Sequence, residues 1–461
     1  MSDFIARASL LGLVLLLVAS TAPALAQSID EPIDEAAEEP VEELFERELD
    51  PFSLVNVSAI VVEGLDRTQE FVVYQQLNFE AGAQVFVHEI DEGVRRLRNF
   101  SIFDRVDFTL EPALEGPDVD PDIARVLTFV LVERWTILPI LNFNFGGNAT
   151  SFSLGIYDLN IAGRNFELGG LYRYEAGAHS AGAWFRAPSF LGERIRFNLE
   201  LWRASNLRLL YDIDGTLTAG FVHRSHYALM RLEQEWARSV KTTVGLRITF
   251  DDFGLDGVPE QARAGQQIIG LPPTTVLAIV VLGTEIGGLD QNSFLVSGQR
   301  AAFNLEVASS AFGADESFVS PRLHFDFFRT LPLQSTFGAR LNLATSTTSS
   351  QPYQFFLGGL NSVRGYDNSR FHGATFWNAN VELRVPSFNN RYFVLQHVFF
   401  ADTARIGATP RDMLNITAAS TGLGLRLIVP RIAGLTVRFD YAWTFLVPGE
   451  ANFNMGSGQF F

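Results

Sequence analysis

From Trp135 to Phe461, apolar and polar residues alternate with the two-residue period of a β-strand, and helical periodicity is almost absent. Clear examples are the runs Ile195–Leu201, Phe303–Val307, Leu423–Val429 and Leu435–Trp443. In these runs every charged residue falls on the face opposite the apolar side chains. The pattern predicts many amphipathic strands, each with one face against an apolar environment and the other against water.

Strand length separates a membrane barrel from a soluble sandwich. Strands of soluble proteins average about 5 to 6 residues, whereas a tilted membrane strand needs about 9 to 11, a length that runs such as Leu435–Trp443 reach. Beyond Ala26 no apolar run approaches the about 20 residues of a membrane helix. At roughly 20 residues per strand and connection, residues 135–461 have room for about sixteen strands. We therefore predict a transmembrane antiparallel β-barrel of about sixteen strands there.

Two short segments precede the structured part of the chain. Residues 1–26 have the features of a secretory signal peptide, with Arg7 before an apolar run and the small residues of Ala24–Ala26 at the cleavage site. Residues 27–52 carry more than half of the formal net charge of −17. We interpret this acidic segment as a solvated linker, with a docking site for a basic partner as the alternative.

Residues 53–134 have the pattern of a small α+β domain with the order strand, helix, helix, strand, strand. The signals are a strand at Ser58–Gly64, a capping-box sequence at Asp66–Gln69, helical spacing over Ile90–Leu97, and strands at Val106–Leu110 and Val126–Val132. The edge of such a small sheet can accept an extended chain by strand addition.

A polar segment from Ser346 to Gly373 joins two alternating runs and contains the dense glycines of Gly358–Tyr366. Long loops inside a compact architecture are usually functional or disordered, and clustered glycines indicate a backbone close to another surface. A solvated turn is the alternative for the Arg364–Gly365 pair. If Asp402 points into the lumen, a guanidinium beside it can form a bidentate pair that lysine does not reproduce.

Several motifs resemble one known family. Leu97–Val106, between the second helix and the next strand, resembles a polypeptide-transport-associated (POTRA) domain, although Ser101 stands where the family commonly has glycine. One such domain before a barrel resembles the BamA/TamA and two-partner-secretion transporter superfamily. Val363-Arg364-Gly365-Tyr366 looks like the tip of the family's sixth extracellular loop, which folds back into the lumen.

The resemblance also implies where this loop is received. Phe400–Ala404 looks like the receiving strand motif, although Ala404 replaces the usual glycine. Gly422–Arg426 and Arg438–Asp440 look like the family's last strands. We therefore expect Asp402 to accept the Arg364 guanidinium, with Asp440 as a second candidate acceptor.

The last residues, Phe453 to Phe461, resemble the recognition signal of bacterial outer-membrane barrels, with Ser457 as a departure from it. Phe453, Met455, Gly458 and Phe461 are its candidate residues. We predict a weak seam between this last strand and the first, Ile137–Phe145, because the glycines near both ends, Gly146, Gly147, Gly456 and Gly458, weaken strand pairing.

The resemblance implies a factor of the bacterial outer membrane, with residues 53–134 in the periplasm, that assembles or translocates polypeptides. Its expected partners are unfolded outer-membrane or exported polypeptides, outer-membrane lipid, and accessory periplasmic proteins or lipoproteins. A dedicated two-partner secretion pore and a passive diffusion channel are the alternatives. No nucleotide-binding loop, metal motif or nucleophile elbow is visible, so we expect no cofactor and no catalysis. The absence of a basic face argues against nucleic acid.

Overall fold

The computed structural model describes residues 50–461 except 99, 114–123, 148, 191–194, 213, 238, 293, 349, 360–361, 415, 430–434 and 447–452. The predicted signal peptide and residues 27–49 of the acidic segment lie outside the described residues.

A small α+β unit comes first. Its elements are β1 (Leu54–Glu63), α1 (Phe71–Tyr74), β2 (Ala83–Phe86), α2 (Val87–Arg98), β3 (Phe103–Pro112) and β4 (Ala124–Glu133). The sheet order is β2-β1-β4-β3, with β1 parallel and β3 antiparallel to β4. Ile90 and Leu97 of α2 are fully buried in a core that includes Leu127 and Phe129 of β4. This apolar face of α2 holds the unit together.

Two details differ from the sequence prediction. The short strand β2, which follows the left-handed Gly82 (φ 91°), adds a fourth strand to the sheet. The predicted capping box at Asp66–Gln69 does not form. Instead the Glu133 carboxylate accepts hydrogen bonds from the backbone N–H groups of Arg67, at 3.1 Å, and Thr68, at 2.7 Å. The Gln69 N–H, which a capping box would bond to Asp66, donates instead to the Gly163 carbonyl at 2.8 Å, and the helix begins at Phe71 and lasts a single turn.

The rest of the chain forms a closed barrel of sixteen strands. They are β5 (Ile137–Gly146), β6 (Ala149–Ile161), β7 (Phe166–Glu175), β8 (Ala178–Phe190), β9 (Ile195–Tyr211), β10 (Leu217–Ala237), β11 (Val240–Gly254), β12 (Thr275–Asn292), β13 (Leu295–Ala308), β14 (Phe318–Leu331), β15 (Ser335–Thr345), β18 (Thr375–Asn389), β19 (Val394–Gly407), β20 (Ala418–Ile428), β21 (Thr436–Phe445) and β22 (Phe453–Ser457). Between β15 and β18 the chain forms a small hairpin of β16 (Phe355–Leu357) and β17 (Phe371–Gly373), and α3 (Glu260–Ile269) lies between β11 and β12. The prediction of an antiparallel barrel of about sixteen strands is confirmed.

Strands β20 and β21 show how a barrel strand separates an apolar outer face from a polar inner face. Leu423 of β20 lies opposite Tyr441 of β21, and their exposed fractions are 49% and 44%. On the other face of the same two strands, Arg426 and Asp440 are buried. Because side chains alternate along a strand, Leu423 and Tyr441 face lipid, and Arg426 and Asp440 face the lumen. Among the described helices none is long and apolar enough to cross a membrane, which says nothing about spanning by strands.

The barrel closes at a short seam. β22 pairs with β5 through only two residue pairs, Met455 with Phe145 and Gly456 with Asn144. On its other side β5 pairs with β6 along its whole length, from Ile137 to Gly146. Most of the seam-facing edge of β5 therefore has no partner strand among the described residues.

Candidate functional site in the barrel lumen

The segment between β15 and β18 lies inside the barrel, and its tip is buried there. Val363, Arg364 and Tyr366 are each 0% exposed. Gly365 has φ +92°, and a Cβ on it would lie 2.8 Å from Cγ2 of Thr444 on β21. Only glycine combines this backbone conformation with so close an approach, so the tip depends on Gly365.

Arg364 is held by the Asp402 carboxylate of β19. Its Nε and Nη2 donate to the two carboxylate oxygens at 2.8 Å each, and its backbone N–H donates to Oδ2 at 3.1 Å. Asn380 Nδ2 donates to Asp402 Oδ1 at 2.9 Å and to the Ser362 carbonyl at 2.8 Å. This bidentate geometry fixes the guanidinium in position as well as attracting it.

Glu382 of β18 is the second acceptor of Arg364. The Arg364 Nη1 to Glu382 Oε1 distance is 2.6 Å, while the Asp440 carboxylate lies 3.7 Å from Nη1 and accepts from Arg426 at 2.7 Å. Asp440 therefore lies beside the site but bonds a different arginine. Glu382 also accepts from Arg384 Nε at 2.8 Å. The three arginines balance the three carboxylates in a buried network, which makes each member costly to remove alone.

Aromatic rings cover both faces of the Arg364 guanidinium. Its central carbon lies 3.5 Å from the Phe400 ring centroid and 4.0 Å from the Phe460 ring centroid. Phe400 precedes Asp402 by two residues and so shares its inward face. Desolvated contacts of this kind strengthen the binding of a guanidinium.

Phe460 reaches the site because the last residues turn into the lumen. β22 ends at Ser457, and Gly458 follows with φ +75°. The Phe461 carbonyl accepts from Arg384 Nη2 at 2.6 Å, and the Phe461 ring packs 5.9 Å from the ring of Phe328. The predicted strand Phe453–Phe461 is thus too long. Phe461 lies inside the barrel, because a left-handed glycine ends the extended backbone.

Tyr366 ties the loop to two strands at once. Its hydroxyl lies 3.0 Å from the Ala419 carbonyl of β20 and 2.9 Å from the Phe445 carbonyl of β21, and it accepts from the Ala419 N–H at 3.2 Å. Val363 packs with Leu357 and Ala404 in a small apolar cluster. The tip is therefore seated by polar and apolar contacts together.

The same loop also contacts the opposite wall. The Tyr353 hydroxyl donates to Asp251 Oδ2 of β11 at 2.9 Å, and its ring lies 5.8 Å from that of Phe318. Arg208 of β9 stacks on Phe356 with its central carbon 4.5 Å from the ring centroid. The loop consequently spans the lumen from β9, β11 and β14 to β18–β21.

The small α+β unit contacts the barrel through the segment that precedes α1. Arg67 Nη2 lies 3.1 Å from Asp158 Oδ2 of β6, and the buried Asn160 donates to Thr68 Oγ1 at 2.9 Å. The Gln69 N–H donates to the Gly163 carbonyl at 2.8 Å. A Cβ on Gly163 would lie 2.0 Å from the Arg67 carbonyl, so this turn also needs glycine.

The structure brings together five of the predicted site residues: Val363, Arg364, Gly365, Tyr366 and Asp402. Phe453 and Met455 lie on β22 at the seam, and Gly458 and Phe461 lie in the inward turn. Sequence reasoning missed Glu382, and it named Phe400 and Phe460 only as members of the receiving motif and the terminal signal, without a contact to Arg364. Strand alternation indicates that Glu382 and Phe400 point into the lumen. It does not indicate how far along the barrel axis each side chain lies.

A closed barrel with a loop inserted in its lumen defines an outer-membrane β-barrel protein. Residues 144–461 match the Omp85 superfamily domain, and the chain belongs to this superfamily. A comparison with curated protein sequences gives no match.

Solved structures show the same fold. BamA from Haemophilus ducreyi lacking POTRA domains 1–3 gives a TM-score of 0.66 at 15% identity, covering 88% of this chain and 84% of that one. CdiB from Escherichia coli gives 0.62 at 14% identity, covering 88% and 76%. CdiB from Acinetobacter baumannii gives 0.61 at 13% identity, covering 87% and 73%.

Proposed function

We propose that this protein inserts or translocates polypeptides at the outer membrane. In this proposal residues 53–134 act as a periplasmic POTRA domain that captures the client, residues 135–461 form the barrel that receives it, and the Arg364 loop governs the state of the barrel. The observation that carries the proposal is the short seam between β5 and β22.

A strand edge without a partner is a template for another strand. The β5 edge from Ile137 to Asn142 lies outside the two pairs that close the seam. Apart from Pro139, which has no backbone N–H, its N–H and C=O groups can pair with an extended client regardless of the client's side chains. Folding of the client strand by strand would then supply the free energy for insertion.

The α+β unit supports the capture step. In its sheet β3 is an edge strand, with β4 on one side and no strand on the other among the described residues. The similarity to BamA from Haemophilus ducreyi covers 88% of this chain, more than the barrel alone accounts for. The contacts of Thr68 and Gln69 with the β6–β7 turn would keep a captured client next to the strands that begin at the seam.

The inserted loop argues against a passive diffusion channel, because it spans the lumen and is bonded to both walls. Its buried charges stabilise the inserted state through contacts of the loop, and these contacts are separate from the pairing between barrel strands. Displacement of the loop would leave the sixteen backbone ladders of the barrel intact. The loop is thus suited to two states, inserted and released.

The test is a disulfide across the seam of this cysteine-free chain. Phe145→Cys with Met455→Cys joins β5 to β22, and the matched control, Phe439→Cys with Met455→Cys, joins β21 to β22 along a five-pair ladder. In a strain that depends on the variant, we expect oxidation of the seam pair alone to stop assembly of outer-membrane proteins, and reductant to restore it.

The outcomes discriminate between routes. If the oxidised seam pair assembles outer-membrane proteins as well as the control pair does, insertion at the seam is wrong. Continued export of a secreted protein with blocked outer-membrane assembly would assign secretion to the lumen and insertion to the seam.

A further inference from the structure

A cavity of about 480 Å³ lies in the lumen between the inserted loop and the barrel wall. The wall side includes Arg173 of β7, Arg208 of β9 and Arg322 of β14, and the loop side includes Phe356, Ser362 and Ser369. Arg364, Glu382 and Asp402 do not line this space, and none of the proposed functional steps uses it.

Two of the cavity's arginines each have a buried Nε donor without an acceptor among the described residues. The Nε atoms of Arg173 and Arg208 are buried without a hydrogen-bond partner, and neither guanidinium forms an ion pair with any residue that the structure describes. Arg322 differs, because its Nη2 lies 3.3 Å from Glu306 Oε2. Glu175 also lines the cavity and attracts Arg208 electrostatically, although no ion pair within 4.0 Å joins it to Arg173 or Arg208 among the described residues. Buried charged donors without acceptors are rare because their desolvation is not offset.

The surroundings of these arginines suit an acceptor-rich ligand. Arg208 presents one face of its guanidinium to the Phe356 ring at 4.5 Å, which leaves the in-plane N–H donors for an acceptor. Asn206, Asn368 and Ser369 add uncharged donors around the same space. His324 adds none, because both of its ring nitrogens are already bonded, to Asn342 at 2.5 Å and to Asp326 at 2.8 Å.

We propose that this cavity binds a small oxyanion, bearing phosphate or carboxylate groups, between Arg173 and Arg208 on the wall and the polar side chains of the loop. Guanidinium groups bind both kinds of oxyanion through paired N–H donors. A ligand in contact with wall and loop together stabilises the inserted loop, because release of the loop removes half of its site.

The experiment uses the purified full-length protein in detergent, with pyrophosphate and citrate as the probes and calorimetric titration as the measurement. We expect saturable binding of one molecule of at least one probe. We also expect a saturable rise in the temperature at which the barrel unfolds, detected as the change in its migration on a gel. Arg173→Gln with Arg208→Gln should weaken binding at least tenfold. The probe that binds more tightly identifies the phosphate or carboxylate class.

The matched control is Arg203→Gln. Arg203 lies on β9 like Arg208, but at an odd spacing from it, so its side chain is on the outer face, where it is exposed. This variant should bind as the unaltered protein does. Its equal weakening would show that general charge, and not the cavity, attracts the anion.

Failure of the unaltered protein to bind either probe overturns the proposal, as does unchanged binding in a folded double Gln variant. If the double Gln variant does not fold, Arg173→Lys with Arg208→Lys takes its place. This pair keeps the charge but loses the paired donors, so binding should weaken several-fold, and unchanged affinity would again overturn the proposal. Client assembly is not a readout here, so the outcome is independent of the proposed function.

Discussion

Arg364 lies between the rings of Phe400 and Phe460, at 3.5 Å and 4.0 Å from their centroids. Phe400 belongs to the strand that receives the loop, and Phe460 follows β22, the strand that closes the seam. A residue of the loop tip is therefore in direct contact with the segment next to the seam. Movement of β22 away from β5 would draw one ring from the guanidinium, so we predict that opening of the seam would favour release of the loop.

Phe460→Ala tests this coupling. A desolvated cation–π contact stabilises by about 2 kcal/mol, so its loss should raise the population of released loop more than tenfold. The measurement is the rate of maleimide labelling of a single cysteine at Val363, a position that is 0% exposed when the loop is inserted.

Two further variants separate the ring's electrons from its volume. Phe460→Leu keeps most of the apolar volume without the π face and should label nearly as fast as Phe460→Ala, whereas Phe460→Trp should label slowly. Phe453→Ala is the control, because Phe453 lies on the outer face of β22 and is 54% exposed. Slow labelling of Phe460→Ala would show that the inward turn of the last residues does not help to hold the loop tip in the lumen.

The Arg364–Asp402 pair gives a second prediction. Each hydrogen bond to a charged group contributes roughly 1.5 to 3 kcal/mol, and Arg364 makes three to Asp402 alone. Arg364→Ala should impair client assembly more than barrel folding. Arg364→Lys should restore little, since an ammonium lacks the planar fork, and Asp402→Asn should resemble Arg364→Ala.

The readouts are outer-membrane protein levels, heat-modifiability of the barrel, and protease access to the loop from outside the cell. Arg405→Ala is a suitable control, because Arg405 lies on β19 three residues after Asp402 and on the outer face. If Arg364→Ala assembles clients fully and its loop stays protected from protease, Arg364 has no role beyond its place in the turn.

Much of this arrangement follows from local sequence. The two-residue period predicts the barrel and the inward direction of Asp402, because each strand has lipid on one side and water on the other. The contact of Arg364 with Asp402 follows from the resemblance of both motifs. The position of Glu382 relative to Arg364 and Asp402 depends on how far adjacent strands are staggered. This stagger is set by the closure of the whole barrel and not by any one strand.

The inward turn shows a different limit. Phe453, Met455 and Phe461 are apolar at odd-numbered positions, although Ser457 and Gln459 interrupt the series, and the sequence analysis predicts a strand through the last residue. Gly458 ends it with a left-handed backbone, which the pattern does not reveal because glycine is also found in barrel strands. The failed capping box at Asp66–Gln69 has a similar cause, since its two backbone donors are bonded to distant residues, the Asp66 N–H to the Glu133 carboxylate and the Gln69 N–H to the Gly163 carbonyl.

His372 gives a prediction on pH. It lies on β17 in the inserted loop, stacked 5.8 Å from the Phe356 ring, and burial lowers its pKa below the ordinary value of 6.5. The released loop therefore takes up a proton more readily than the inserted loop does. The resulting stabilisation of the inserted state is complete above pH of about 6.5 and is lost as the pH falls below it.

Maleimide labelling of the cysteine at Val363 should accelerate from pH 7 towards pH 5. At each pH the rate is compared with that of a denatured sample, which corrects for the pH dependence of the reagent itself. His372→Gln should remove the acceleration, while His179→Gln, at an exposed position on β8, should retain it. A flat profile in the unaltered protein would contradict the prediction.

Glu382 gives the last prediction, on stability. Its carboxylate lies within 3.4 Å of three guanidiniums, at 2.6 Å from Arg364, 2.8 Å from Arg384 and 3.4 Å from Arg426. Asp440 makes one hydrogen bond of 2.7 Å, to Arg426. Removal of one partner from a buried ion pair costs about 3 to 5 kcal/mol, because the other charge stays buried without compensation. Glu382→Gln leaves an excess positive charge among all three arginines, so it should lower the melting temperature of the folded barrel further than Asp440→Asn does.

Glu382→Gln combined with Arg384→Met restores the charge balance and should recover part of the loss. The comparison is made by heat-modifiability in detergent at low and high salt, and the difference should persist in salt because the groups are buried. If the two single variants melt together, Glu382 is only one of several interchangeable acceptors for Arg364.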